Sequence, residues 1–399
     1  MSRWTKAILS LAGVVTLVLG ACTGGPVKVG AVLPLEGPHA LYGVPIQRGI
    51  ELAYEQVQQE EDRIQVELDL RDSGSDPQRG AELLEELYRG GAVAAIGGVT
   101  TEAALAMVPV AERADKVLLS PSASSPALTG ISRGFFRIYP SDFREGNKMG
   151  NFAAETLGIG RMVILTADSP YATGIADVFQ TEYRRFGGEV VESIEYPASS
   201  SDFGDIATRA IDAHPVGIYI ADYANNVSAI VSALRDLDFE GKILTTSAYA
   251  SPEVIAAAGD KAEGLLLSQT AVAAEDPAPQ AFAQAYREKY GEEPNIWAAH
   301  GYDSFKVLVE AIAEGGRLPS DVWKGMRGIH GYQGATGVIQ FDEKGDVGKF
   351  PRTYVIEGGE LVDYDRAMED KRQEILRRIE DLNRSRRRQA AADAAAEGP

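Results

Sequence analysis

The chain has 399 residues and a formal net charge of −19 at pH 7, and 45% of its residues are apolar. This length and an ordinary globular composition suffice for two α/β domains. This strongly negative charge disfavours nucleic acid and anionic membrane surfaces as partners. The single cysteine, Cys22, can form no internal disulfide, so the fold must depend on its hydrophobic core.

The first 21 residues have the pattern of an export signal. Basic residues precede an apolar run from Ala7 to Leu19, which is too short for a membrane-spanning helix. The ending LGAC resembles the bacterial lipoprotein signal, in which the cysteine is lipidated and becomes the first mature residue. We therefore predict a lipid anchor at Cys22, followed by a linker over 22–26; the alternative is a secretory peptide with a chance cysteine.

From residue 27 onward, apolar segments rich in β-branched residues alternate with helical patterns, which is the spacing of βαβ units in a parallel sheet. The first series of predicted strands is VKVGAVLPL (27–35), IQVELDLRDS (64–73), AVAAIGGV (92–99) and KVLLSPSA (116–123). A second series is RMVILTADS (161–169), EVVESIEYP (189–197), VGIYIADY (216–223) and KILTTSAYA (242–250). Two such series predict two doubly wound sheets.

The remaining segments are less regular. Residues 251–326 are predicted to be mostly helical, with one strand candidate at 265–273. After them, TGVIQFDEKGD and PRTYVIEGGELVDY are predicted to form two antiparallel strands that close a sheet. The charged tail over 365–399 is predicted to be a helix, either solvated or docked on a partner.

Thr100 and Thr101 lie where a predicted strand leads into a predicted helix. The first turn of a helix has free N–H groups and a partial positive charge. One hydroxyl can cap this helix while the other faces a ligand anion. We expect Thr101 to cap the helix and to present its hydroxyl and amide to the ligand, and Thr100 to shape the approach. Taken alone, the stretch fits tandem capping equally well.

Other strand-end loops offer further polar groups, because the carboxyl ends of parallel strands converge on the ligand in a doubly wound sheet. The loop SPSASSPAL (120–128) is rich in serine and held by two prolines. Tyrosines that can pack against a ligand and still form hydrogen bonds follow other strands. These further candidates are Tyr42, Tyr171, Tyr223 and Ser247.

Taken in order, these segments resemble the extracytoplasmic solute-binding proteins of ABC transporters, in the subgroup typified by the leucine/isoleucine/valine-binding protein. The resemblance covers residues 27–350 and rests on seven motifs. They are VLPLEGPHALYG, DPQRGAELLEELY, IGGVTTEAA followed by LLSPSAS, FRIYPSDFREGN, AEGLLL, YDSFKVLVEAI and GVIQFDEKGD.

The resemblance implies a type I periplasmic binding protein: two doubly wound α/β lobes that are joined by three crossings and close on a ligand by hinge motion. We expect the crossings near residues 140, 250 and 330. Lobe 1 then comprises 27–140 with 251–330, and lobe 2 comprises 141–250 with 331–364.

The resemblance also implies roles for the cleft residues. Backbone groups of the serine loop at Ser122, Ala123 and Ser124 would join Thr101 in holding a ligand carboxylate, and the tyrosines would surround the rest of the ligand. The family position that supplies an acid for an α-ammonium group falls on Ser247. A serine cannot balance a buried ammonium.

Two explanations of that serine stay open. Another acid could serve, with Asp168 and Asp222 in matching loops, or the ligand is a carboxylate, an amide or another small polar solute rather than a standard α-amino acid.

Catalytic and metal-binding alternatives are weak. Ser132 lies in a G-x-S-x-G match, but a loop precedes it and a strand-like run follows, whereas a nucleophile elbow needs a strand and then a helix. The histidines have no paired metal spacing, and His300 lies in an apolar helix that suits a core position. We therefore expect neither an enzyme nor a cofactor.

We predict a monomeric lipoprotein in the periplasm or at the cell surface that captures an amino acid or a related carboxylate or amide. It would hand this ligand to an ABC transporter permease. The alternative is an envelope scaffold or regulator that uses the same fold for interaction or sensing, and the charged tail is the feature that favours it.

Overall fold

The computed structural model describes residues 25–60 and 64–396, with side chains described as far as residue 388. The predicted signal peptide and Cys22 lie outside the described residues. In the part of the chain that is described, we find no helix with the length and apolar character needed to cross a bilayer.

Five parallel strands form the first sheet. They are β1 (Val27–Leu33), β2 (Val66–Asp72), β3 (Ala94–Gly97), β4 (Val117–Ser120) and β5 (Phe135–Arg137). The spatial order is β2-β1-β3-β4-β5, so the chain winds in both directions from β1. Both β3 and β4 are buried along their whole length, as expected for strands covered by helices on both faces.

Helices cover this sheet on both faces. They are α1 (Ala40–Gln59), α2 (Pro77–Arg89) and α3 (Thr101–Ala114). The start of α2 shows why the sequence predicted it well: the Asp76 side chain accepts hydrogen bonds from the amides of Gln78 and Arg79, and Pro77 occupies the first turn.

A second sheet has seven strands. They are β6 (Arg161–Asp168), β7 (Glu189–Pro197), β8 (Gly217–Ala221), β9 (Lys242–Thr245), β10 (Leu266–Thr270), β13 (Pro351–Glu357) and β14 (Glu360–Asp363). Between β10 and β13 in the chain, β11 (Tyr332–Gly334) and β12 (Gly337–Ile339) form a separate hairpin. The order is β14-β13-β10-β9-β8-β6-β7, with antiparallel pairing of β13 to both neighbours.

The other helices complete the two lobes and the tail. They are α4 (Asp142–Asn151), α5 (Pro170–Arg185), α6 (Gly204–Asp212), α7 (Ala224–Asp236), α8 (Pro252–Ala258), α9 (Pro277–Tyr290), α10 (Ile296–Gly315), α11 (Pro319–Gly328) and α12 (Tyr364–Ala396). We use "lobe 1" for the five-stranded sheet with its helices and "lobe 2" for the seven-stranded sheet with its helices.

The observed boundaries between the lobes differ from the predicted ones at the second and third crossings. The prediction placed 251–330 in lobe 1, but β10 pairs with β9 and β13 and so belongs to the sheet of lobe 2. The second crossing therefore lies between Thr270 and Pro277. The sequence shows that β10 is a strand but not which strands it pairs with, because the pairing with β13 is remote along the chain.

The hairpin β11–β12 corrects the position of the third crossing and one strand prediction. The prediction gave 331–364 to lobe 2 and expected TGVIQFDEKGD to close a sheet. Instead β12 pairs with β11 alone, and the backbone amides of Ala335 and Thr336 donate to the Asp303 carboxylate of α10 at 2.7 and 2.8 Å. The hairpin therefore packs on lobe 1, and the third crossing precedes β13.

A buried ion pair holds the first and third crossings together. The Arg137 side chain at the end of β5 is fully buried and donates to both carboxylate oxygens of Asp346, at 2.6 and 2.8 Å. It also donates to the carbonyl of Ser125 at 2.9 Å. The guanidinium thus fixes the serine loop against the segment that leads into β13.

The tail forms the long helix α12, which begins directly after β14. Its apolar residues Ile375, Ile379 and Leu382 are 57%, 47% and 60% exposed. Ion pairs such as Arg378 to Glu374 run along its surface. The tail therefore extends as a charged helix with an exposed apolar stripe.

Candidate functional site

A narrow cavity of about 20 Å³, with room for little more than one water molecule, lies between the lobes at the carboxyl ends of their parallel strands. Residues from both lobes and from the first crossing line it: Tyr42, Val99, Thr101, Ser122, Ser124, Tyr139, Tyr171, Tyr223, Ser247, Ala248 and Trp297. Seven of the residues proposed from the sequence are thus brought to one place, while Thr100 and Ala123 do not line this cavity.

The structure corrects which of the two threonines caps α3. Thr100 is the residue that caps α3, because its Oγ1 accepts from the amide of Ala103 at 3.2 Å. Thr101 lines the cavity instead. The preceding Gly98 has a φ of +66°, and a Cβ there would lie 2.9 Å from the Cα of Ala104, so only glycine allows this tight entry into the helix.

Two buried polar atoms of the cavity wall have no hydrogen-bond partner among the described residues. They are Oγ1 of Thr101 and the indole Nε1 of Trp297, whose residues are 1% and 4% exposed. An unsatisfied buried polar group costs about 1–3 kcal/mol. Both residues belong to lobe 1, and both can donate to an acceptor placed in the cavity.

The serine loop is held by its own hydrogen bonds. The Ser122 hydroxyl donates to the carbonyl of Val99 at 2.7 Å, and the Ser124 hydroxyl donates to Oδ2 of Asp142 at 2.9 Å. The amide of Ala123 donates to the Ser120 hydroxyl at 2.9 Å. These hydroxyl protons are therefore already in use, and the loop contributes a fixed shape rather than free hydroxyl donors.

Three tyrosines close the cavity from different elements. The Tyr42 hydroxyl of lobe 1 donates to the carbonyl of Ala248 and accepts from the amide of Ala224, each at 3.1 Å. The rings of Tyr171 and Tyr223 stack with their centroids 4.6 Å apart. Their burial raises the pKa of both phenols, so they stay neutral and can donate hydrogen bonds at physiological pH.

Glu102, in the first turn of α3, links the lobes beside the cavity. It accepts from the Tyr223 hydroxyl at 2.8 Å and from the amide of Tyr171 at 3.2 Å. A further hydrogen bond between the lobes runs from the Asn225 side chain to the carbonyl of Pro38 at 2.9 Å. The lobes therefore contact each other directly around the cavity.

The acids considered from the sequence as replacements at Ser247 are not free for a ligand. Asp168 is exposed at the end of β6 and does not line the cavity. Asp222 is buried, and its oxygens accept from the amide of Tyr223 at 2.7 Å, from the Tyr196 hydroxyl at 2.9 Å and from Asn226 at 2.8 Å. Neither is placed to meet a cation in the cavity.

Two other acids lie directly behind the cavity wall. Glu145 is 3% exposed, and its Oε1 accepts from the amide of Ser247 at 2.7 Å. Asp142, one turn earlier in α4, is fully buried, and its Oδ1 has no hydrogen-bond partner among the described residues. Burial raises the pKa of Glu145 to about 7, and burial together with the charge of Glu145 raises the pKa of Asp142.

Sequence reasoning missed these acids and part of the wall. Asp142, Glu145 and Tyr139 all lie in FRIYPSDFREGN, a motif quoted for the resemblance but not searched for site residues. For Trp297 the sequence offers only a weaker indication, an indole in the first turn of an apolar helix. His300 of the same helix is a core residue as expected, and burial lowers its pKa to about 3. Ser132 is followed by β5 and not by a helix.

Comparison with known proteins gives the family. A family model described as "Periplasmic binding protein" matches residues 26–355. The leucine-, isoleucine-, valine-, threonine- and alanine-binding protein of Pseudomonas aeruginosa is 24% identical over 353 residues, covering 87% of this chain and 93% of that protein.

Solved structures agree with this family. The leucine-binding protein LivK of Thermotoga maritima is 29% identical with a TM-score of 0.79, covering 85% of this chain and 99% of that one. LivJ of Streptococcus pneumoniae, in complex with isoleucine, is 26% identical with a TM-score of 0.79, covering 84% and 97%. These relatives are substrate-binding proteins rather than enzymes, and the chain belongs to the periplasmic binding protein family with the type I fold.

Proposed function

We propose that this protein captures a small amino acid, or a related carboxylate or amide, in the cavity between its lobes and delivers it to an ABC importer. The observation that carries the proposal is the pair of unpartnered buried donors, Thr101 Oγ1 and Trp297 Nε1, on the wall of the cavity between the lobes. The names of the relatives support the ligand class, because LivK, LivJ and the Pseudomonas protein are all described as binding or transporting branched-chain amino acids.

The lobe 1 wall suits a carboxylate. Thr101 is the first residue of α3, so a carboxylate beside it also lies near the positive end of the helix dipole. Hydrogen bonds from Thr101 and Trp297 would replace the solvation that the carboxylate loses on entering the cavity. The rings of Tyr42, Tyr171 and Tyr223 supply apolar contact for the rest of the ligand.

Ligand binding and lobe closure would be coupled. The bonds from Tyr171 and Tyr223 to Glu102 exist only when the lobes are together. A ligand that touches both lobes binds the closed state better than the open one and shifts the population toward it. A permease can then distinguish loaded from empty protein by shape.

The extracytoplasmic location that the family implies fits the predicted export signal. We propose that lipidation of Cys22 anchors the protein beside its permease, with 22–26 as the tether. Labelling of cells with a radioactive fatty acid tests this, since Cys22→Ser should abolish incorporation into the protein. Incorporation that persists in the Cys22→Ser variant would contradict the anchor.

Calorimetric titration with the common amino acids and their deaminated and amidated analogues tests the ligand class. We expect saturable binding of one molecule per chain for at least one branched-chain amino acid or analogue. Thr101→Val keeps the shape but removes the hydroxyl, and should weaken binding at least tenfold. Thr101→Ser is the matched control and should retain most of the affinity. A complete lack of binding across the panel would contradict the proposal.

A further inference from the structure

The outer part of α12 is a helix that no other part of the described chain covers. Its first turns pack on lobe 2, where Ala367 is buried and Met368 is half-buried against the core. From Glu369 to Arg388 every residue is exposed. A helix that stands alone in water has little stability of its own, because helices in proteins depend mainly on the packing of an apolar face. The function proposed above makes no use of this segment.

One face of this segment has the pattern of a coiled-coil seam, which we call the tail stripe. Its residues alternate at intervals of four and three, the heptad spacing of helices that pack along each other. They are Met368, Arg372, Ile375, Ile379, Leu382 and Arg386. The exposed Leu376 lies beside the stripe and widens its apolar middle. At a rise of 1.5 Å per residue the stripe is about 28 Å long, enough to pair with one other helix.

The two ends of α12 carry opposite charge. The outer end has four arginines that form no ion pair with any residue whose side chain is described: Arg384, Arg386, Arg387 and Arg388. The end nearest the body is acidic. A groove of about 920 Å³ lies there between α12 and β14, lined by six acids and only four basic residues. The floor of the groove is apolar and includes Leu361 and Val362.

We propose that α12 joins this chain to a second copy of itself, with the two helices packed antiparallel along their tail stripes. Full overlap of the stripes places Ile375 opposite the second copy's Ile379, Arg372 opposite its Leu382 and Met368 opposite its Arg386. The arrangement has a two-fold axis, so it closes as a dimer. The dimer goes beyond the proposed function and does not depend on it. It differs from the monomer predicted from the sequence.

Charge complementarity favours the antiparallel orientation. It brings the four unpaired arginines of each copy to the acidic groove of the other, and beside acids in the first turns of the other α12: Asp365, Glu369 and Asp370. A parallel pair would instead place Arg372 and Arg386 each against its own counterpart and the two basic ends side by side. Such juxtaposed like charges oppose association.

The same charges favour a second copy over a lipid surface as the occupant of the tail stripe. The outer arginines would attract an anionic bilayer, but the acidic groove beside them and the net charge of −19 would oppose its approach. A second copy matches both ends of the helix at once, because each basic end meets an acidic one.

Light scattering coupled to size-exclusion chromatography tests the dimer, on the full chain carrying Cys22→Ser so that no acyl chain can drive association. We expect the molar mass to rise with concentration towards that of two chains. Ile375→Asp with Ile379→Asp places carboxylates in the seam and should weaken dimerisation at least about 100-fold. Leu318→Asp is the matched control, because Leu318 is also exposed but precedes α11 in lobe 1. It should leave the dimer intact.

A spin label on Ser385→Cys in the same Cys22→Ser chain tests the orientation by electron–electron double resonance. The helix rise and the usual distance between packed helices give label separations of about 25 Å for the antiparallel pair and about 10 Å for a parallel one. A separation near 10 Å would overturn the antiparallel arrangement.

Three results would overturn the dimer itself. The first is the mass of one chain at every concentration up to about 0.1 mM. The second is a dimer that persists in the variant with Ile375→Asp and Ile379→Asp. The third is a chain that stays monomeric and binds vesicles of anionic phospholipid through the tail stripe, shown by loss of vesicle binding in that variant. An unchanged unfolding temperature of the variant would show that its body is folded.

Discussion

The lobe 1 wall of the cavity presents hydrogen-bond donors without partners, whereas the lobe 2 wall is backed by carboxylates without cations. Thr101 and Trp297 lie on the lobe 1 wall, and Glu145 lies behind Ser247 of the lobe 2 wall. Each wall is costly while the cavity is empty, because buried polar groups need partners. A ligand that accepts hydrogen bonds from Thr101 and Trp297 while touching lobe 2 would relieve this cost, and closure would then depend on the ligand.

The largest effect should come from removing both donors of the lobe 1 wall. Thr101→Val with Trp297→Phe deletes two hydrogen bonds to a charged carboxylate, each contributing about 1.5–3 kcal/mol. We expect calorimetry to show at least about a 100-fold loss of affinity for the preferred amino acid. The unfolding temperature should change little for Thr101→Val, whose deleted hydroxyl is unpaired, and should fall for Trp297→Phe, because the smaller ring leaves a gap beside Tyr42 and Tyr139. A loss of affinity of less than tenfold would contradict the role of these two donors in binding the carboxylate.

The next effect concerns the lobe 2 wall and pH. Because the pKa of Glu145 is raised to about 7 by burial, acidification protonates the carboxylate that accepts from the amide of Ser247 on the cavity wall. Affinity for the amino acid should fall by up to about tenfold per pH unit below 7. Glu145→Gln should flatten this dependence. An affinity independent of pH between 8 and 5 would contradict the ionised role of Glu145.

The stability of the ligand-free protein should follow pH in the opposite sense. A carboxyl whose folded pKa lies above its unfolded value of about 4.5 stabilises the fold when protonated, and this contribution is lost as pH rises through about 7. Denaturant titration should therefore give a higher free energy of unfolding at pH 6 than at pH 8. Glu145→Gln should remove part of this difference, and an unchanged difference would place its origin elsewhere.

A smaller effect should follow from weakening the contact between the walls. Tyr223→Phe deletes the hydroxyl that donates to Glu102 at 2.8 Å but keeps the ring stacked on Tyr171. One hydrogen bond to a charged group is lost only in the closed state, so affinity should fall roughly tenfold. Small-angle scattering without ligand should show a larger fraction of open molecules. A larger fraction of closed molecules would contradict the role of the Tyr223–Glu102 hydrogen bond in holding the lobes together.

The smallest effect on binding should come from Thr100. Thr100→Ala removes the cap of α3 and should lower the free energy of unfolding by about 1 kcal/mol. Thr100→Ala should change the affinity for the ligand less than Thr101→Val does, because Thr100 does not line the cavity. A loss of stability in Thr101→Val but not in Thr100→Ala would instead support Thr101 as the cap, as first predicted from the sequence.

The elements and much of the cavity wall could be predicted because both follow from local patterns. The apolar runs of β3 and β4 and the Asp-Pro start of α2 are readable in a few residues. Loops at the ends of parallel strands then meet in the cleft, which is why Tyr42, Tyr171 and Tyr223 could be proposed together.

The missed features depend on contacts remote along the chain. Strand β10 gains its place only by pairing with β13, and Glu145 reaches the cavity only through Ser247, 102 residues away. The choice between Thr100 and Thr101 as the cap depends on the backbone turn at Gly98. None of these contacts leaves a pattern in the neighbouring residues.

A crystal structure of the protein grown with its preferred branched-chain amino acid would show directly how the ligand is held. We expect the ligand carboxylate within hydrogen-bond distance of Thr101 Oγ1 and Trp297 Nε1, and the rest of the ligand among the rings of Tyr42, Tyr171 and Tyr223. A ligand bound in the reverse orientation, or outside the cavity between the lobes, would contradict it.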